Sequence, residues 1–111
     1  MANEDGWQRV ASRGEVKPDA IFGAVYGDEP VALTEIDGQV YAVSDTCTHE
    51  FALMSEGFLD GVEGECPLHQ ARFDMRTGQC VAGPAVADLI PFEVKIEGDD
   101  VYVRPVATNG S

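Results

Sequence analysis

The sequence has few basic residues. It holds seven lysines and arginines against 20 aspartates and glutamates, which gives a formal charge of −13 at pH 7. None of the seven lies between Lys17 and Arg72, a window of 54 residues that contains eleven acids. We therefore expect no nucleic-acid and no membrane partner, while a basic protein surface is favoured. Solubility alone explains part of this charge, so both interpretations stay open. The eleven acids are Asp19, Asp28, Glu29, Glu35, Asp37, Asp45, Glu50, Glu56, Asp60, Glu63 and Glu65.

A long hydrophobic run is also missing. No stretch approaches the roughly 18 apolar residues that a membrane-spanning helix needs. Residues 1–6 contain two acids and no basic residue, which does not fit a secretory signal peptide. We therefore expect a soluble, cytoplasmic protein. Its 111 residues suit one domain, 1–111, and we expect a monomer.

Helical periodicity is absent as well. No segment of ten or more residues repeats with a 3.6-residue period, so the sequence predicts an all-β fold. Short apolar runs between glycines and prolines predict strands at 7–11, 21–26, 31–36, 40–43, 92–96 and 101–103. The dipeptide Asp37-Gly38 predicts a two-residue hairpin between the third and fourth of them. A strand-poor insertion is expected from about residue 44 to residue 85.

Histidine is scarce, and each histidine has a cysteine beside it. Cys47-Thr48-His49 forms a C-x-H limb and Cys66-Pro67-Leu68-His69 forms a C-x-x-H limb, with sixteen residues between His49 and Cys66. Each limb supplies one thiolate and one imidazole. We therefore predict that Cys47, His49, Cys66 and His69 bind metal. The third cysteine, Cys80, lies outside both limbs and is expected to be a reduced, partly buried thiol.

This donor set suits two kinds of site. Two thiolates on one iron and two imidazoles on the other define a Rieske 2Fe–2S centre. Two cysteines and two histidines also make an ordinary zinc site, but the zinc-finger order, a cysteine pair followed by a histidine pair, is absent. Iron predicts a red-brown protein with acid-labile sulfide, and zinc predicts a colourless one.

The chain resembles the small Rieske-type ferredoxins of bacterial aromatic-ring-hydroxylating dioxygenase systems. The resemblance rests on Cys47-Thr48-His49, residues 64–74, Arg76-Thr77-Gly78, Gly83-Pro84-Ala85 and residues 92–103. It implies the Rieske fold, an antiparallel β-sandwich with a smaller cluster-binding subdomain inserted at about 44–85. It also implies one 2Fe–2S cluster, with Cys47 and Cys66 on the inner iron and His49 and His69 on the outer iron. Gly83-Pro84-Ala85 resembles the loop that covers the cluster.

The resemblance implies one-electron transfer rather than catalysis, and we expect no catalytic residue. A flavin-bearing, NAD(P)H-dependent reductase would reduce the cluster, and a terminal ring-hydroxylating oxygenase would accept the electron. The electron would leave at the exposed edges of His49 and His69. Four apolar residues around these edges are candidates for a docking patch or a shield: Phe51, Pro67, Leu68 and Pro84.

Four positions distinguish this chain from the high-potential Rieske proteins of cytochrome bc-type complexes. Those proteins place a disulfide across the cluster, where this chain has Ala52 and Leu68. They also offer a serine and a tyrosine hydroxyl to sulfur, where this chain has Ala71 and Phe73. The resemblance therefore implies a low-potential carrier.

Two related protein classes remain to be weighed. Ring-hydroxylating oxygenases share the limbs, but here Glu50 follows His49 and Gln70-Ala71 follows His69. The 111 residues and two histidines also predict no second, oxygen-activating iron. The small subunit of assimilatory nitrite reductase, or an orphan Rieske carrier for another oxidase, is the alternative function.

Overall fold

Short strands dominate the structure. The computed structural model describes residues 6–46, 53–67, 71–83 and 88–106. Within these ranges the chain forms ten strands: β1 (Gln8–Ser12), β2 (Ile21–Tyr26), β3 (Glu29–Ile36), β4 (Gln39–Ser44), β5 (Phe58–Asp60), β6 (Glu63–Glu65), β7 (Arg72–Asp74), β8 (Cys80–Ala82), β9 (Pro91–Glu97) and β10 (Asp100–Pro105). Two 3₁₀ helices, Arg13–Glu15 and Met54–Glu56, accompany them. No helix in the described ranges is long or apolar enough to cross a membrane.

Six strands form the larger sheet, in the order β1-β10-β9-β4-β3-β2, and all neighbouring pairs are antiparallel. Its two edges approach each other, because the Tyr26 hydroxyl donates to the Gly6 carbonyl at 2.8 Å and the Gly27 N–H donates to Gln8 Oε1 at 3.0 Å. The enclosed space is filled by a first core cluster of Ala11, Val16, Val31, Leu33, Val40, Ala42, Phe92, Val101 and Val103. Each fully buried Val, Leu or Phe stabilises the fold by roughly 1.5–3 kcal/mol.

The strands predicted from alternating apolar residues are confirmed, with bounds that shift by at most two residues. The predicted hairpin between β3 and β4 is confirmed too, because Ile36 pairs with Gln39 across Asp37 and Gly38. Both turn residues have positive φ, 55° and 81°, as a type I′ turn requires. Asn or Asp followed by Gly favours this turn, because these residues tolerate the left-handed region best.

The smaller sheet has the order β5-β6-β7-β8 and is also antiparallel. The sequence predicted few strands between residues 44 and 85, whereas four strands of 3 residues each lie there. Runs of three residues are too short to show a period of two. Their outward positions carry charge, on Asp60, Glu63, Glu65, Arg72 and Asp74, so they do not resemble apolar strands.

A second core cluster joins the two sheets. Ala32, Ile36 and Val43 of the larger sheet pack with Phe73 of the smaller one. The remaining members come from the connecting segments: Met54, Cys66, Ala71, Met75 and Leu89. The structure therefore confirms an antiparallel all-β fold of two packed layers, as expected.

Candidate metal centre

The structure describes one of the four predicted ligands. Cys66 is placed, whereas Cys47, His49 and His69 lie outside the described residues. Other predicted features also lie outside them: Glu50, Phe51, Ala52, Leu68, Gln70, Pro84 and Ala85. Among the described residues, no group of three or more His, Cys, Asp or Glu side chains could hold a metal ion. The structure therefore shows the base of each segment that carries a predicted ligand, meaning the residues that directly flank the segment.

Cys66 lies at the base of the second limb. It directly follows β6, and its N–H donates to the Ala71 carbonyl at 2.8 Å, just before β7 begins. This bond closes the loop that carries His69. The Cys66 residue is fully buried, at 0% exposure, among the apolar side chains of the second core cluster, including Met75 and Leu89. A water-excluded sulfur at a rigid loop base suits the inner thiolate of an iron–sulfur cluster.

The first limb also leaves the fold through a closed base. Thr46 and Leu53 form an antiparallel bridge on either side of residues 47–52. Next to it, the Met54 N–H donates to the Asp45 carbonyl at 2.7 Å, and the Asp45 N–H donates to the Pro30 carbonyl at 3.0 Å. Residues 47–52, which include Cys47 and His49, are thus anchored to β3 at their base.

The residues that follow segment 84–87, which contains Pro84, lie beside the base of the first limb. After it, the Leu89 N–H donates to the Gly78 carbonyl at 2.7 Å. The Ile90 N–H donates to the Ser44 hydroxyl at 3.0 Å, and the Ser44 N–H returns a bond to the Ile90 carbonyl at 2.8 Å. Ser44 ends β4 and leads into the first limb. The bases of the first limb and of the segment with Pro84 are therefore hydrogen-bonded to each other.

The first and second limbs are linked through the 3₁₀ helix Met54–Glu56. The Met54 side chain packs in the same core cluster as Cys66. Gly57 ends this helix and lies so close to Glu65 and Pro67 that a Cβ added there would clash with the Glu65 carbonyl. The structure thus brings the bases of all three segments together, although the sequence places them up to about 40 residues apart.

Acidic side chains surround the second limb, but most of them share a cation. Arg72, the first residue of β7, lies 3.1 Å from Asp60, 3.2 Å from Glu63 and 3.3 Å from Glu65. Three carboxylates around one guanidinium leave an excess of negative charge on the outer face of the smaller sheet. The predicted acidic face is therefore present there, in partly neutralised form.

Two of the eleven acids in the basic-free window do not add to an exposed face. Asp45 is buried, at 1% exposure, and Glu35 pairs with Arg13 at 3.0 Å. Asp45 and Glu35 therefore add little to an acidic docking surface. Sequence reasoning counted Asp45 only as a charge, because its partner, Ser55, lies ten residues away in the chain.

A further acid lies at the turn after β7. Asp74 accepts side-chain hydrogen bonds from Arg76 at 3.0 and 2.9 Å and a backbone one at 2.9 Å. The Arg76 side chain lowers the pKa of Asp74 below its ordinary value, and partial burial opposes this. The pair stabilises the turn that begins the Arg76-Thr77-Gly78 motif. It does not lie among the candidate ligands.

Cys80 is half-buried on β8, as expected for a thiol outside the site. Its thiol donates weakly to the Ala82 carbonyl at 3.7 Å, and its N–H donates to Asp88 Oδ1 at 2.9 Å. The bond to Asp88 fixes the chain at the far end of segment 84–87. Cys80 therefore has a structural place on β8, and the expectation that it is not a ligand stays a prediction.

Comparisons with known proteins indicate the family of the chain. A family model described as "Rieske [2Fe-2S] domain" matches residues 6–102. The ferredoxin component of a naphthalene 1,2-dioxygenase system from Pseudomonas aeruginosa is 39% identical over 97 residues, which cover 87% of this chain and 93% of the relative.

Two solved structures share the fold. The ferredoxin of carbazole 1,9a-dioxygenase from Nocardioides aromaticivorans IC177 has a TM-score of 0.85 at 32% identity and covers 92% of this chain and 100% of its own. A ferredoxin solved in complex with the oxygenase of carbazole 1,9a-dioxygenase has a TM-score of 0.81 at 36% identity, over 91% of this chain and 94% of its own.

Proposed function

The chain belongs to the Rieske [2Fe–2S] family, and from that premise we propose that it is the electron-carrying ferredoxin of an aromatic-ring dioxygenase system. The observation that carries the proposal is the near full-length match to a ferredoxin component, over 93% of that relative. Such components are electron carriers and not the catalytic oxygenases. The cofactor of the family is a Rieske-type 2Fe–2S cluster, which when bound stores and releases one electron.

We propose Cys47, His49, Cys66 and His69 as the four cluster ligands. Support comes from the buried position of Cys66 at the base of the loop that carries His69. Further support comes from the closed base of the limb that carries Cys47 and His49. The burial of Cys66 away from water fits the inner end of the cluster.

The proposed organisation is one domain over residues 1–111, with the cluster-binding subdomain at about 44–85. The role of the larger sheet is to hold the bases of the three segments in place. Ser44, Asp45 and Ile90 connect it to them through backbone hydrogen bonds. A rigid base limits the rearrangement that accompanies a change in cluster charge. Fast one-electron transfer requires such a small rearrangement.

The proposed partners are a flavoprotein reductase that uses NAD(P)H and a terminal ring-hydroxylating oxygenase. The reductase would give one electron to the chain, and the chain would pass that electron to the oxygenase. The solved complex of a related ferredoxin with its oxygenase supports the second partner. We place the protein in the cytoplasm as a monomer, where NAD(P)H is available. The excess acids around Arg72 would favour brief encounters with basic surfaces.

The test is reduction and delivery of one electron by the purified full chain. We expect a red-brown protein, an EPR signal of Rieske type after reduction, and reoxidation when a terminal oxygenase is added. Product formation by that oxygenase should depend on the chain in the presence of reductase and NADH. A His69→Ala variant serves as the matched control without a normal cluster. A colourless protein that contains zinc would contradict the proposal.

A further inference from the structure

Asp45 is a buried carboxylate at the base of the first limb. Its exposure is 1%. Both of its side-chain oxygens accept hydrogen bonds from Ser55, Oδ1 from the backbone N–H at 2.7 Å and Oδ2 from the hydroxyl at 2.6 Å. Its backbone is also held, by Pro30 at 3.0 Å and by Met54 at 2.7 Å. Because both side-chain partners are donors, the arrangement suits the ionised, acceptor-only form of the acid.

The Ser55 end of this contact leads to the second limb. Ser55 is the middle residue of the 3₁₀ helix Met54–Glu56, whose first side chain packs in the core cluster with Cys66. Gly57, which ends the helix, lies against the Pro67 ring. A Cβ added to Gly57 would be 3.2 Å from Pro67 Cδ. The helix is thus held by the first limb through Ser55 and by the second limb through its flanking residues. The relative position of the two limbs depends on the bonds from Ser55.

Gly23 on β2 lies over the same pair. A Cβ at this position would be 2.9 Å from the Ser55 hydroxyl oxygen and 3.3 Å from Asp45 Oδ2. These distances are shorter than ordinary van der Waals contacts, so a side chain at position 23 would displace one of the two partners. The absence of a side chain at Gly23 leaves the space that the hydrogen bonds need.

The charge of Asp45 has a consequence beyond hydrogen bonding. An asparagine side chain at position 45 could accept from the Ser55 N–H in the same geometry. A buried carboxylate has a desolvation cost that an amide does not have. The hydrogen bond alone therefore does not require the charge. Asp45 stands two residues before Cys47 in the sequence, and two residues of chain span about 7 Å at most. A fixed negative charge disfavours the addition of an electron to a nearby centre, and the effect is strong where water is excluded.

We propose that Asp45 positions the two limbs through Ser55 and lowers the midpoint potential of the cluster through its charge. Neither residue touches the iron, so both are positioning residues. The inference rests on the cluster ligation proposed above. The charge of Asp45 would affect the midpoint potential, and its hydrogen bonds with Ser55 would affect how firmly the cluster is held. Substitutions can change one of these without the other.

The charge is tested with Asp45→Asn in the full chain that carries its cluster. Asparagine keeps the shape and the bond from the Ser55 N–H but removes the charge. We expect the midpoint potential in protein-film voltammetry to rise, because the reduced state loses a repulsive neighbour. Glu35→Gln is the control, since it also removes one carboxylate of the same window, here a half-buried one. Along β3, Glu35 lies about 13 Å from Val31, the partner of Ser44, and its potential should stay at the wild-type value.

The hydrogen bonds are tested with Ser55→Ala and Gly23→Ala, which keep the charge. We expect little change in potential but faster loss of the visible and EPR signals in the presence of an iron chelator. Loss of one hydrogen bond to a charged group corresponds to a factor of about ten in this rate. Ser12→Ala removes a hydroxyl that accepts from Arg9 at 2.8 Å on the far edge of the larger sheet, and it should lose its cluster at the wild-type rate.

An unchanged potential in Asp45→Asn, or a wild-type rate of cluster loss in Ser55→Ala, would overturn the inference. If Asp45→Asn assembles no cluster, Ser55→Ala and Gly23→Ala decide, and faster loss in both supports the positioning role. Amide hydrogen exchange at Ser55 adds a readout that does not depend on electron transfer, and it should accelerate in Gly23→Ala. A wild-type chain without a Rieske-type EPR signal would reject the proposed function instead.

Discussion

The two cysteines that the structure describes have contrasting surroundings. Cys66 is fully buried in the core cluster between the sheets. Cys80 is half-buried on β8, an edge strand of the smaller sheet. A buried sulfur on a closed loop base suits the proposed role of Cys66 as an iron ligand. The Cys80 side chain packs against the same core cluster but is partly exposed, and its thiol donates only weakly to a backbone carbonyl. At the scale of single residues, this difference in burial favours Cys66 over Cys80 as the proposed ligand.

Substitution of the cysteines tests that contrast. We expect Cys66→Ser and His69→Ala to abolish the normal cluster, because each removes one of four donors. Cys80→Ser should keep it, since the hydroxyl occupies the same half-buried space. Iron and sulfide content and the EPR spectrum of each purified variant provide the measurement. Loss of the signal in Cys80→Ser would show that the ligand assignment is wrong.

The side chains around Cys66 also bear on the potential. Ala71 and Phe73, 3% and 1% exposed, pack with Cys66 and carry no hydroxyl. Neither residue supplies the hydroxyl that the high-potential Rieske proteins offer to sulfur, so we expect the reduced state to be less stabilised than in those proteins. We expect a midpoint in the lower part of the Rieske range, from roughly −150 mV to a little below zero. A measured value near about +300 mV would contradict this expectation.

A tyrosine in place of Phe73 tests the effect of a hydroxyl on the midpoint potential, because it adds the hydroxyl that position 73 lacks. The comparison with high-potential Rieske proteins implies that a Phe73→Tyr hydroxyl would donate to sulfur, so the midpoint potential should rise relative to wild type. Phe92→Tyr is the control, because Phe92 is buried in the other core cluster, inside the larger sheet. It should leave the potential unchanged while it costs some stability.

At the scale of elements, the β3–β4 hairpin depends on backbone conformation. Gly38 has φ of 81° and open space where a Cβ would lie. Gly14 has the same open space without a positive φ. Gly38→Ala should therefore lower the free energy of unfolding by about 1 kcal/mol, while Gly14→Ala should be neutral or slightly stabilising. Urea denaturation followed by circular dichroism measures both, and equal midpoints would mean that the turn does not limit stability.

Sequence patterns predicted the larger sheet well and the smaller sheet poorly, for physical reasons. The strands β2, β3, β4, β9 and β10 have six to eight residues, long enough for their apolar residues to form recognisable runs. The strands β5 to β8 have three residues each, and their stability comes from the core cluster that they share with the connecting segments. Metal ligation restricts residue type and spacing, so the sequence could predict the family, which is confirmed. The same motifs predict the ligands.

The contact between Asp45 and Ser55 could not be predicted in the same way. No periodic pattern relates two polar residues that meet across the base of a loop. Such a contact depends on how the 3₁₀ helix Met54–Glu56 folds back on β2 and β4. Only the position of Asp45 in the sequence, two residues before Cys47, could have suggested that it has a role near the first limb.

At the scale of the whole molecule, the charges are unevenly arranged. Several basic residues that the structure describes lie on the neighbouring strands β1, β10 and β9, namely Arg9, Arg104 and Lys95. Lys95 and Arg104 lie over the ring of Trp7, at 4.8 and 4.4 Å from its centroid. Each of these three basic residues pairs with an acid, namely Asp100, Glu93 and Glu97. On the smaller sheet, three acids share Arg72, and the exposed Glu56 lies just before β5. This excess of acids near the base of the second limb would favour a basic partner there.

The excess of acids near the second limb predicts that electron transfer to the oxygenase weakens as salt rises. Exposed charges are largely screened beyond about 8 Å at physiological ionic strength. Glu56→Lys reverses a charge one residue before Gly57, which lies against Pro67 of the second limb. We expect slower association in stopped-flow mixing, with little change in midpoint potential. Asp99→Lys makes the same change in net charge on the exposed turn between β9 and β10, so it should affect association far less. Equal slowing by both variants, or a rate that does not vary with salt, would mean that the acids serve solubility and not docking.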